Sequence, residues 1–475
     1  MRKLVSYALV VVVLLASFSA CEERIEPAPE PSVKEEETQD VQDIQAKNFL
    51  KKYSGLYDYW YKDIPSGVKT SLPIEKYFDA LLVPQDRWSW MTDAESYLYS
   101  ESGVVVGTYG ASLAQPIEFY DDYDIRIRYV YPGSPFDKLG VTRGWTLTHV
   151  AGTPVMNLII DGIFNSTYYV SPQTFTFTDL EGKSHTFQNV SAAKTLNTRP
   201  ALKTEIFTAE DFPGLDSPVG YFLYMGFESS TDAQGKPMLD DISEPVAKFK
   251  AAGCKNIILD LRYNSGGSVD ASDSLVNLLA SSSANGKVYT QRKHNDILAK
   301  DYDQSTIVRR SANSLDLDNL YIITGEGTAS ASEMVLNGLK PLMSVHHVGD
   351  TTYGKPNGMY VLMYPGSNAD YDNYERGDFS KLEYVFLPIC FYNKNGLGQD
   401  IPDTGIVPDN YIADDLYHDF GVSEKNIKAC LYHIVNGSYP ESERAVRTKS
   451  AGGRKIALAE EDTDPKYGKM TVVMK

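Results

Sequence analysis

The stretch NIILDLRYNSGG, residues 256–267, decides the fold of this chain. Its first half is a run of large apolar residues, which is typical of a strand buried on both faces. Its second half ends in two glycines, which allow a sharp turn. A second apolar strand, Asn319–Thr324, is followed by a helix that Ser330 opens. Alternating strands and helices over residues 200–415 predict an α/β core with a mostly parallel sheet, whose site lies at the carboxyl ends of strands.

Ser330 and Lys355 stand 25 residues apart in this core, each in a short segment of small residues. A serine hydroxyl is a poor nucleophile until a base takes its proton. A lysine can be that base only when it is neutral, so its pKa must fall well below the ordinary value of ~10.4. The pair therefore indicates nucleophilic catalysis that uses no histidine.

Each half of this pair also has an ordinary interpretation. Ser330 and Glu333 before an apolar run fit a helix capping box. Ser332 is an alternative nucleophile, but the separation between serine and lysine favours Ser330. His346 and His347 lie between the two candidates, but they sit in an apolar strand and are typical of core or surface histidines.

The segment Gly349 to Lys355 imitates a phosphate-binding P-loop. Pro356 replaces the Ser or Thr that such a loop requires, and an apolar strand follows in place of a helix. A nucleotide site is therefore not predicted here.

The regions before the core differ in their patterns. Residues 44–100 carry aromatic residues at helical spacing, which predicts a small helical subdomain. Residues 101–192 contain short strands, the segment Pro132-Gly133-Ser134-Pro135-Phe136 and a turn at Ala151-Gly152, and they resemble a PDZ domain of the type found in bacterial proteases. The resemblance implies that a peptide's carboxyl end adds to a sheet edge, with peptide-binding residues Val104, Val105 and Val106.

The motifs together resemble the C-terminal processing peptidases, or tail-specific proteases, whose core is ClpP/crotonase-like. The resemblance rests on residues 260–267, 330–333, 354–355 and 402–409, spans roughly residues 45–435, and places the protease domain at residues 200–436. It implies that Ser330 is the nucleophile and Lys355 the general base. It also implies an oxyanion hole formed by Ala331 with Gly266 or Gly267, and supporting roles for Glu333, Asp260 and Arg262.

One residue departs from the family pattern. The family usually has a glutamine four residues after the lysine, where this chain has Met359. A thioether cannot orient an amine as an amide does, so either Asn357 or Tyr353 takes over or activity is reduced. Two hypotheses follow: a serine endopeptidase acting on envelope proteins through their carboxyl ends, and a catalytically weak scaffold that binds such tails.

The amino terminus has the features of a bacterial lipoprotein signal. Residues 1–21 combine Arg2 and Lys3 with an apolar run and small residues before Cys21. The alternative is a transmembrane anchor, but the run is shorter than the ~20 residues that a bilayer span needs. We expect lipid on Cys21 to hold the protein at a Gram-negative cell envelope, in the outer membrane facing the periplasm or the cell surface.

Composition excludes several other classes. The net charge is −18, and residues 22–43 hold nine acidic and two basic residues, which predicts a solvated acidic linker. Nucleic acid is not expected as a partner, because phosphate binding needs clustered Lys and Arg. No spacing predicts a metal site or a cofactor, and Cys254, Cys390 and Cys430 are either free thiols or include one disulfide. Residues 437–475 read as a polar, loose tail, and the oligomeric state stays open.

Overall fold

The computed structural model describes residues 33–114, 117–119, 122–365, 382–440 and 469–473. The chain divides into two units, Met1–Gln45 and Ala46–Lys475. In the first unit the described residues form the start of a helix, and the account below concerns the second unit. Cys21 and the predicted signal lie outside the described residues.

The helices, in chain order, are α1 (Val33–Tyr57), α2 (Ile74–Leu81), α3 (Ala94–Glu101), α4 (Pro135–Lys138), α5 (Val155–Ile160), α6 (Phe164–Tyr168), α7 (Asp240–Ala251), α8 (Val269–Leu279), α9 (Ala299–Tyr302), α10 (Ala331–Leu339) and α11 (Lys425–Asn436). A 3₁₀ turn follows α8 at Ser282–Ala284. None of the helices in the described ranges is both long enough and apolar enough to cross a membrane.

The strands, in chain order, are β1 (Trp90–Asp93), β2 (Val104–Thr108), β3 (Ala111–Leu113), β4 (Ile117–Phe119), β5 (Asp122–Val130), β6 (Thr146–Val150), β7 (Thr153–Pro154), β8 (Gln173–Thr178), β9 (Ser184–Val190), β10 (Ala193–Asn197), β11 (Ala201–Phe207), β12 (Val219–Tyr224), β13 (Asn256–Asp260), β14 (Gly266–Ser268), β15 (Val288–His294), β16 (Gln304–Ile307), β17 (Asn319–Thr324), β18 (Val345–Gly349), β19 (Asn357–Tyr364), β20 (Tyr384–Leu387), β21 (Ile389–Asn395), β22 (Asn410–Tyr411) and β23 (Lys469–Val473).

Six strands form sheet I in the order β11-β12-β13-β17-β18-β22. All its pairings are parallel except that of β11 with β12. Both faces are covered, because alternate residues of β13 enter different apolar clusters: Ile257 and Leu259 pack toward α7 and α8, and Ile258 packs toward α11. The strands β13 and β17 thus lie side by side, and their carboxyl ends deliver the glycine turn and Ser330 to one edge of the sheet.

Eight strands form sheet II, whose main path is β1-β20-β19-β21-β15-β16. These pairings are antiparallel. The strands β14 and β23 join this path through β19, by parallel pairings. The molecule is therefore an α/β protein with mixed sheets, and the expected mostly parallel arrangement describes sheet I only.

The segment from β3 to β9 forms a separate seven-stranded sheet with the order β3-β5-β6-β8-β9, to which β4 and β7 add. Short helices α4, α5 and α6 accompany it, and rings of Phe136, Phe175 and Phe177 fill its own apolar core. Ser134 caps α4 by accepting a hydrogen bond from the backbone of Asp137. We call residues 111–190 the β-rich module.

Residues 44–100 differ from the expected separate helical subdomain. The apolar faces of α1 and α2 enter the same core as the two large sheets, and the ring of Tyr57 lies 5.8 Å from that of Tyr360. The strand β1 pairs with β20 at the edge of sheet II. The predicted helices are present, but an aromatic face of this size must be buried, and the core between the two large sheets supplies the surface.

The two predicted polar segments also contain regular structure. The acidic linker, expected to span residues 22–43, is helical from Val33 onward. The tail at 437–475 was expected to be loose, yet β23 pairs within sheet II. Cys254, Cys390 and Cys430 are all buried and free, so no disulfide joins them.

Candidate active site

Ser330 lies in the turn between β17 and α10, directly before the first residue of the helix. Its backbone has φ 60° and ψ −113°, a region in which a residue with a Cβ is strained. The side chain is fully buried, and Oγ has no hydrogen-bond partner among the described residues. The Glu333 half of the predicted capping box is present, because the Glu333 carboxylate accepts the backbone N–H of Ser330. The positive φ of Ser330 also fits a strained functional position, so the two interpretations of this serine are compatible.

The alternatives to Ser330 have other partners. The hydroxyl of Ser332 donates to the carbonyl of Asn264 at 3.0 Å, which ties α10 to the glycine turn. The ring of His347 bonds through Nε2 to the hydroxyl of Thr324 at 2.6 Å, and His346 stacks on a neighbouring tyrosine. Ser332 and both histidines therefore hold the scaffold.

The Glu333 carboxylate joins the serine turn to the lysine segment. Its Oε2 accepts the backbone N–H of Ser330 and that of Lys355, both at 2.8 Å. Its Oε1 accepts the N–H of Gly354 at 2.7 Å and the hydroxyl of Thr352 at 2.5 Å. A single side chain thus fixes the two segments that the sequence singled out.

Glu333 is fully buried. Burial raises the pKa of Glu333 above its ordinary value, because a charged carboxylate loses its hydration there. The hydroxyl of Thr352 and three backbone N–H groups oppose this shift, because each of them binds the charged form. The carboxylate is a well-satisfied buried acceptor.

Lys355 is fully buried beside Met359. Its Nζ lies 4.0 Å from the thioether sulfur of Met359, the residue that stands where the family usually has glutamine. A thioether is a weak acceptor, so this contact positions the amine by packing more than by hydrogen bonding. Asn357 and Tyr353 are the two residues proposed to orient Lys355 in place of the glutamine. Asn357 is fully buried, and Tyr353 is 46% exposed.

The glycine turn follows β13 and is held by Asn264. The Asn264 side chain donates to the carbonyl of Tyr224 at 3.0 Å and accepts the N–H of Gly266 at 2.9 Å. The N–H of Gly266 is therefore occupied. A Cβ on Gly267 would meet the carbonyl oxygen of Phe227 at 2.2 Å, and φ is +134° there, so only glycine fits.

The backbone direction of Gly267 follows from its neighbours. Phe227 donates to the carbonyl of Gly266, and the N–H of Ser268 donates back to Phe227. Since successive residues of a strand direct their N–H and C=O groups to opposite edges, the groups of Gly267 face away from Phe227. Of the two expected glycine donors, Gly267 thus has its N–H on the edge that faces β23.

Asp260 and Arg262 form a buried ion pair at 2.8 Å, directly before the glycine turn. Arg262 also bonds both oxygens of the buried Glu424, which begins α11. Burial alone would raise the pKa of Glu424, but the Arg262 guanidinium outweighs it and holds that pKa below its ordinary value. The pair fixes the chain that leads into the turn.

This charged cluster reaches the β-rich module. Arg143, from the segment before β6, bonds Asp414 at 2.5 Å, and Arg262 bonds the same carboxylate oxygen at 2.9 Å. Arg143 is buried, and its guanidinium also donates to the phenol oxygen of Tyr263. Two arginines from distant parts of the chain therefore share one acid next to the glycine turn.

Sequence reasoning missed several of these residues. Glu424 could have been found as the cap of the predicted terminal helix, since its side chain accepts the N–H of Ile427. Arg143 and Asp414 bond each other across 271 residues of sequence, so no local motif could point to either of them. The position of Thr352 on the carboxylate of Glu333 likewise appears only in three dimensions.

The predicted peptide-binding residues lie on β2. Val104, Val105 and Val106 face Asn197, Leu196 and Thr195 in an antiparallel pairing with β10. Val106 is 59% exposed. The segment is thus a strand of a two-stranded sheet, with apolar side chains at the surface.

Comparisons with known proteins agree with this geometry. The family model described as "Peptidase family S41" matches residues 219–409. The chain is 22% identical over 404 residues to the "Probable CtpA-like serine protease" of Staphylococcus saprophyticus, which covers 83% of this chain and 74% of that protein. For the protein of that name from Staphylococcus aureus strain COL, identity is 22% over 305 residues, with 64% and 55% covered.

A solved structure has the same fold. The crystal structure of a protein from Bacteroides fragilis NCTC 9343, assigned to the S41 proteases, superposes with a TM-score of 0.64 at 20% sequence identity. It covers 86% of this chain and 98% of that one. The present chain spans about three quarters of the S. saprophyticus relative and about half of the S. aureus one.

The matched family model and the curated relatives identify a serine-type peptidase. Residues 219–409 match the model of peptidase family S41, and the curated relatives that match over a longer stretch are described as CtpA-like serine proteases. The resemblance inferred from residues 260–267, 330–333 and 354–355 is confirmed at this level.

Proposed function

We propose that this protein is a serine endopeptidase with a Ser330–Lys355 dyad. Ser330 Oγ attacks the scissile carbonyl carbon, and its proton passes to Lys355 Nζ. The same proton then goes to the leaving amine, and an acyl-enzyme on Ser330 remains. A water molecule, deprotonated by Lys355, attacks this ester, releases the acid and restores the hydroxyl.

The observation that carries this proposal is the shared carboxylate oxygen of Glu333. Oε2 accepts the backbone N–H of Ser330 and of Lys355, which fixes the two segments to a common point. Proximity of reacting groups lowers the barrier because their ordering has been completed during folding. The strained backbone of Ser330 and its buried Oγ add independent support.

Negative charge on the tetrahedral intermediate needs two donors. Ala331 is the first residue of α10, so its N–H has no acceptor within the helix. Gly267 offers its N–H on the edge away from Phe227, whereas Gly266 donates to Asn264. We therefore assign the oxyanion hole to Ala331 and Gly267.

Recognition of substrate tails forms part of the proposal. The β-rich module is compact, with its own core and short helices, which supports a PDZ-type binding domain. The exposed Val106 on β2 offers an apolar surface for a peptide. We propose that polypeptides bind at β2, which lies just before the β-rich module in the chain, by their carboxyl ends through strand addition.

Anchoring at the cell envelope is proposed from residues 1–21. The small residues before Cys21 support lipid attachment to its thiol. A Cys21→Ser variant should move from the membrane fraction to the soluble fraction of cells. Equal membrane retention of both forms would contradict lipid anchoring.

Three purified proteins test the peptidase activity: the parent, Ser330→Ala and Lys355→Ala, each incubated with an unstructured protein. We expect cleavage by the parent and a loss of about 10⁴-fold or more in each variant, because both dyad members act in one step. Ser274→Ala, at a half-buried position on α8 where the hydroxyl donates to the Asp270 carbonyl of the same helix, is the matched control. Equal cleavage by parent and Ser330→Ala would overturn the proposal.

A catalytically weak tail-binding scaffold is the second candidate. It is favoured by Met359, whose thioether lies against the lysine amine where an amide would orient it. In that case the parent would bind peptide carboxyl ends without cleaving them. Met359→Gln would then gain activity, because an amide oxygen is a much stronger acceptor for the lysine amine than a thioether sulfur.

A further inference from the structure

The strand β23 lies between the glycine turn and the lysine strand. One edge of β23 pairs with β14, where Gly267 faces Met470 and Ser268 faces Thr471. Its other edge pairs with β19, where Met359 faces Thr471 and Val361 faces Val473. Both pairings are parallel, so β23 joins two strands that share no direct pairing with each other in the described structure.

Among the described strands, only β23 pairs with this edge of β19. The strands β20 and β21 run antiparallel along the opposite edge, with Leu362 facing Phe386 and Met359 facing Ile389. An uncovered strand edge exposes a row of N–H and C=O groups that accept another strand. Peptide-binding proteins use such edges, because backbone hydrogen bonds hold any extended sequence.

The other neighbour of β23 is the candidate oxyanion donor. Gly267 pairs with Phe227 on one edge and with Met470 of β23 on the other. The strand β19 begins two residues after Lys355. Since β23 runs between Gly267 and β19, it occupies the place where a peptide substrate must lie. The sequence Lys-Met-Thr-Val-Val of β23 suits an extended conformation, since it holds β-branched residues and lacks Gly and Pro.

We propose that β23 is an intramolecular ligand of the substrate cleft, which excludes polypeptide substrates until it leaves. This inference rests on the proposed peptidase function, because the cleft is defined by the dyad and Gly267. A strand attached to the same chain has an effective concentration of the order of millimolar. An external substrate must compete with it, so the apparent KM is raised several-fold while kcat is unchanged.

Thr471 is the position at which to test this inference in the full-length chain, because it pairs with both Ser268 and Met359. Thr471→Pro removes a backbone N–H and is incompatible with a central strand. Thr471→Val keeps the backbone donor and strand preference, so it is the matched control. We expect the KM of Thr471→Pro for an unstructured substrate to fall about 2- to 10-fold, as the competition predicts, and that of Thr471→Val to stay at the parent value.

Hydrogen exchange gives a readout that does not depend on catalysis. Within Met359–Val361, the amides that face β23 should exchange at least about tenfold faster in Thr471→Pro than in Thr471→Val, because they lose their ladder partner. The amides that face β20 and β21 keep their partners and should exchange equally in both variants. If neither variant cleaves substrate yet this difference appears, the peptidase proposal fails and the occupancy of the cleft stands. Equal exchange of the amides that face β23 in the two variants overturns the occupancy.

Binding in trans completes the test. A labelled peptide of residues 466–475 should bind the Ser330→Ala, Thr471→Pro double variant saturably, and a scrambled peptide should not. The intact mass of the parent after incubation should be that of the full chain. The inhibitory role would be overturned by any of three results. These are cleavage of the parent within residues 469–473, an unchanged KM in Thr471→Pro, and no binding of the labelled peptide.

Discussion

The dyad region and β23 both adjoin the glycine turn, yet different forces hold them. The backbones of Ser330 and Lys355 are fixed by one buried carboxylate, that of Glu333, which accepts a hydrogen bond from each. The strand β23 is held by main-chain pairing with β14 and β19. Side-chain bonds specify one residue type and so leave a motif, whereas backbone pairing accepts many sequences.

This difference separates a permanent part of the site from an exchangeable one. Glu333 is fully buried within α10 and cannot leave without unfolding that helix. A strand bound by its backbone can be replaced by any other extended chain with a comparable edge. Substitutions at three positions test the distinction: Gly267 belongs to both regions, Glu333 to the dyad region alone, and His347 to neither.

Gly267→Ala should have the largest effect, because it disturbs both regions. The new Cβ would lie 2.2 Å from the Phe227 carbonyl oxygen, which forces the turn to move. We expect kcat to fall about 10²–10³-fold, the usual cost of one oxyanion donor, and exchange at Met359–Val361 to rise as β23 loosens.

Gly253→Ala is the matched control for this change. Its φ is +76°, and a Cβ there would meet nothing within 4 Å, so it carries backbone strain of about 1–2 kcal/mol without a clash. It should leave kcat and the exchange of β19 at parent values. Unchanged catalysis in Gly267→Ala would remove this residue from the oxyanion hole.

Much of the dyad region could be predicted from sequence, because its signals are local. Ser330, Glu333 and Lys355 stand in short motifs, and the strand that ends in Gly266 and Gly267 follows from its apolar run. Glu333 was expected to support the site, but its link to the Lys355 segment depends on tertiary structure. The role of Arg143 depends on a contact with Asp414, far away in the chain, so no local pattern could reveal it.

The tail shows why the remainder was missed. Residues 437–475 are rich in charged and turn-forming residues, which favours a loose segment. The run Met470–Val473 is a weak strand signal, and β-propensity depends on what an edge offers. The partner edges lie about a hundred or more residues earlier, at Gly266–Ser268 and Met359–Val361, so the strand forms only where tertiary structure presents them.

Glu333→Gln should affect the dyad region alone. The amide keeps the shape but replaces one acceptor oxygen by a donor, which would face backbone N–H groups of Ser330 and Lys355 or of Gly354. We expect kcat to fall about 10²-fold through misplacement of the dyad, with little change in KM. Exchange at Met359–Val361 should stay as in the parent.

A steady-state assay with a peptide substrate measures kcat and KM separately. Glu326→Gln, at an exposed position before the serine turn, is the control. A raised KM with unchanged kcat would mean that Glu333 serves substrate binding and not dyad geometry. Increased exchange in β19 would show that Glu333 also holds β23 in place. The dyad region and β23 would then not be held independently of each other.

His347→Gln should have the smallest effect on catalysis, since the ring lies in β18 and bonds Thr324. Burial lowers the pKa of His347 from 6.5 to about 4, because the charged ring would lose its hydration. The unfolded chain therefore binds a proton at pH values where the folded protein does not. The stabilising contribution is complete above pH 6.5 and is lost as the pH falls toward 4, at a cost of about 3 kcal/mol. Urea unfolding of parent and variant between pH 4 and 7 measures this: the variant should lose less stability on acidification, and parallel curves would show that His347 does not titrate in this range.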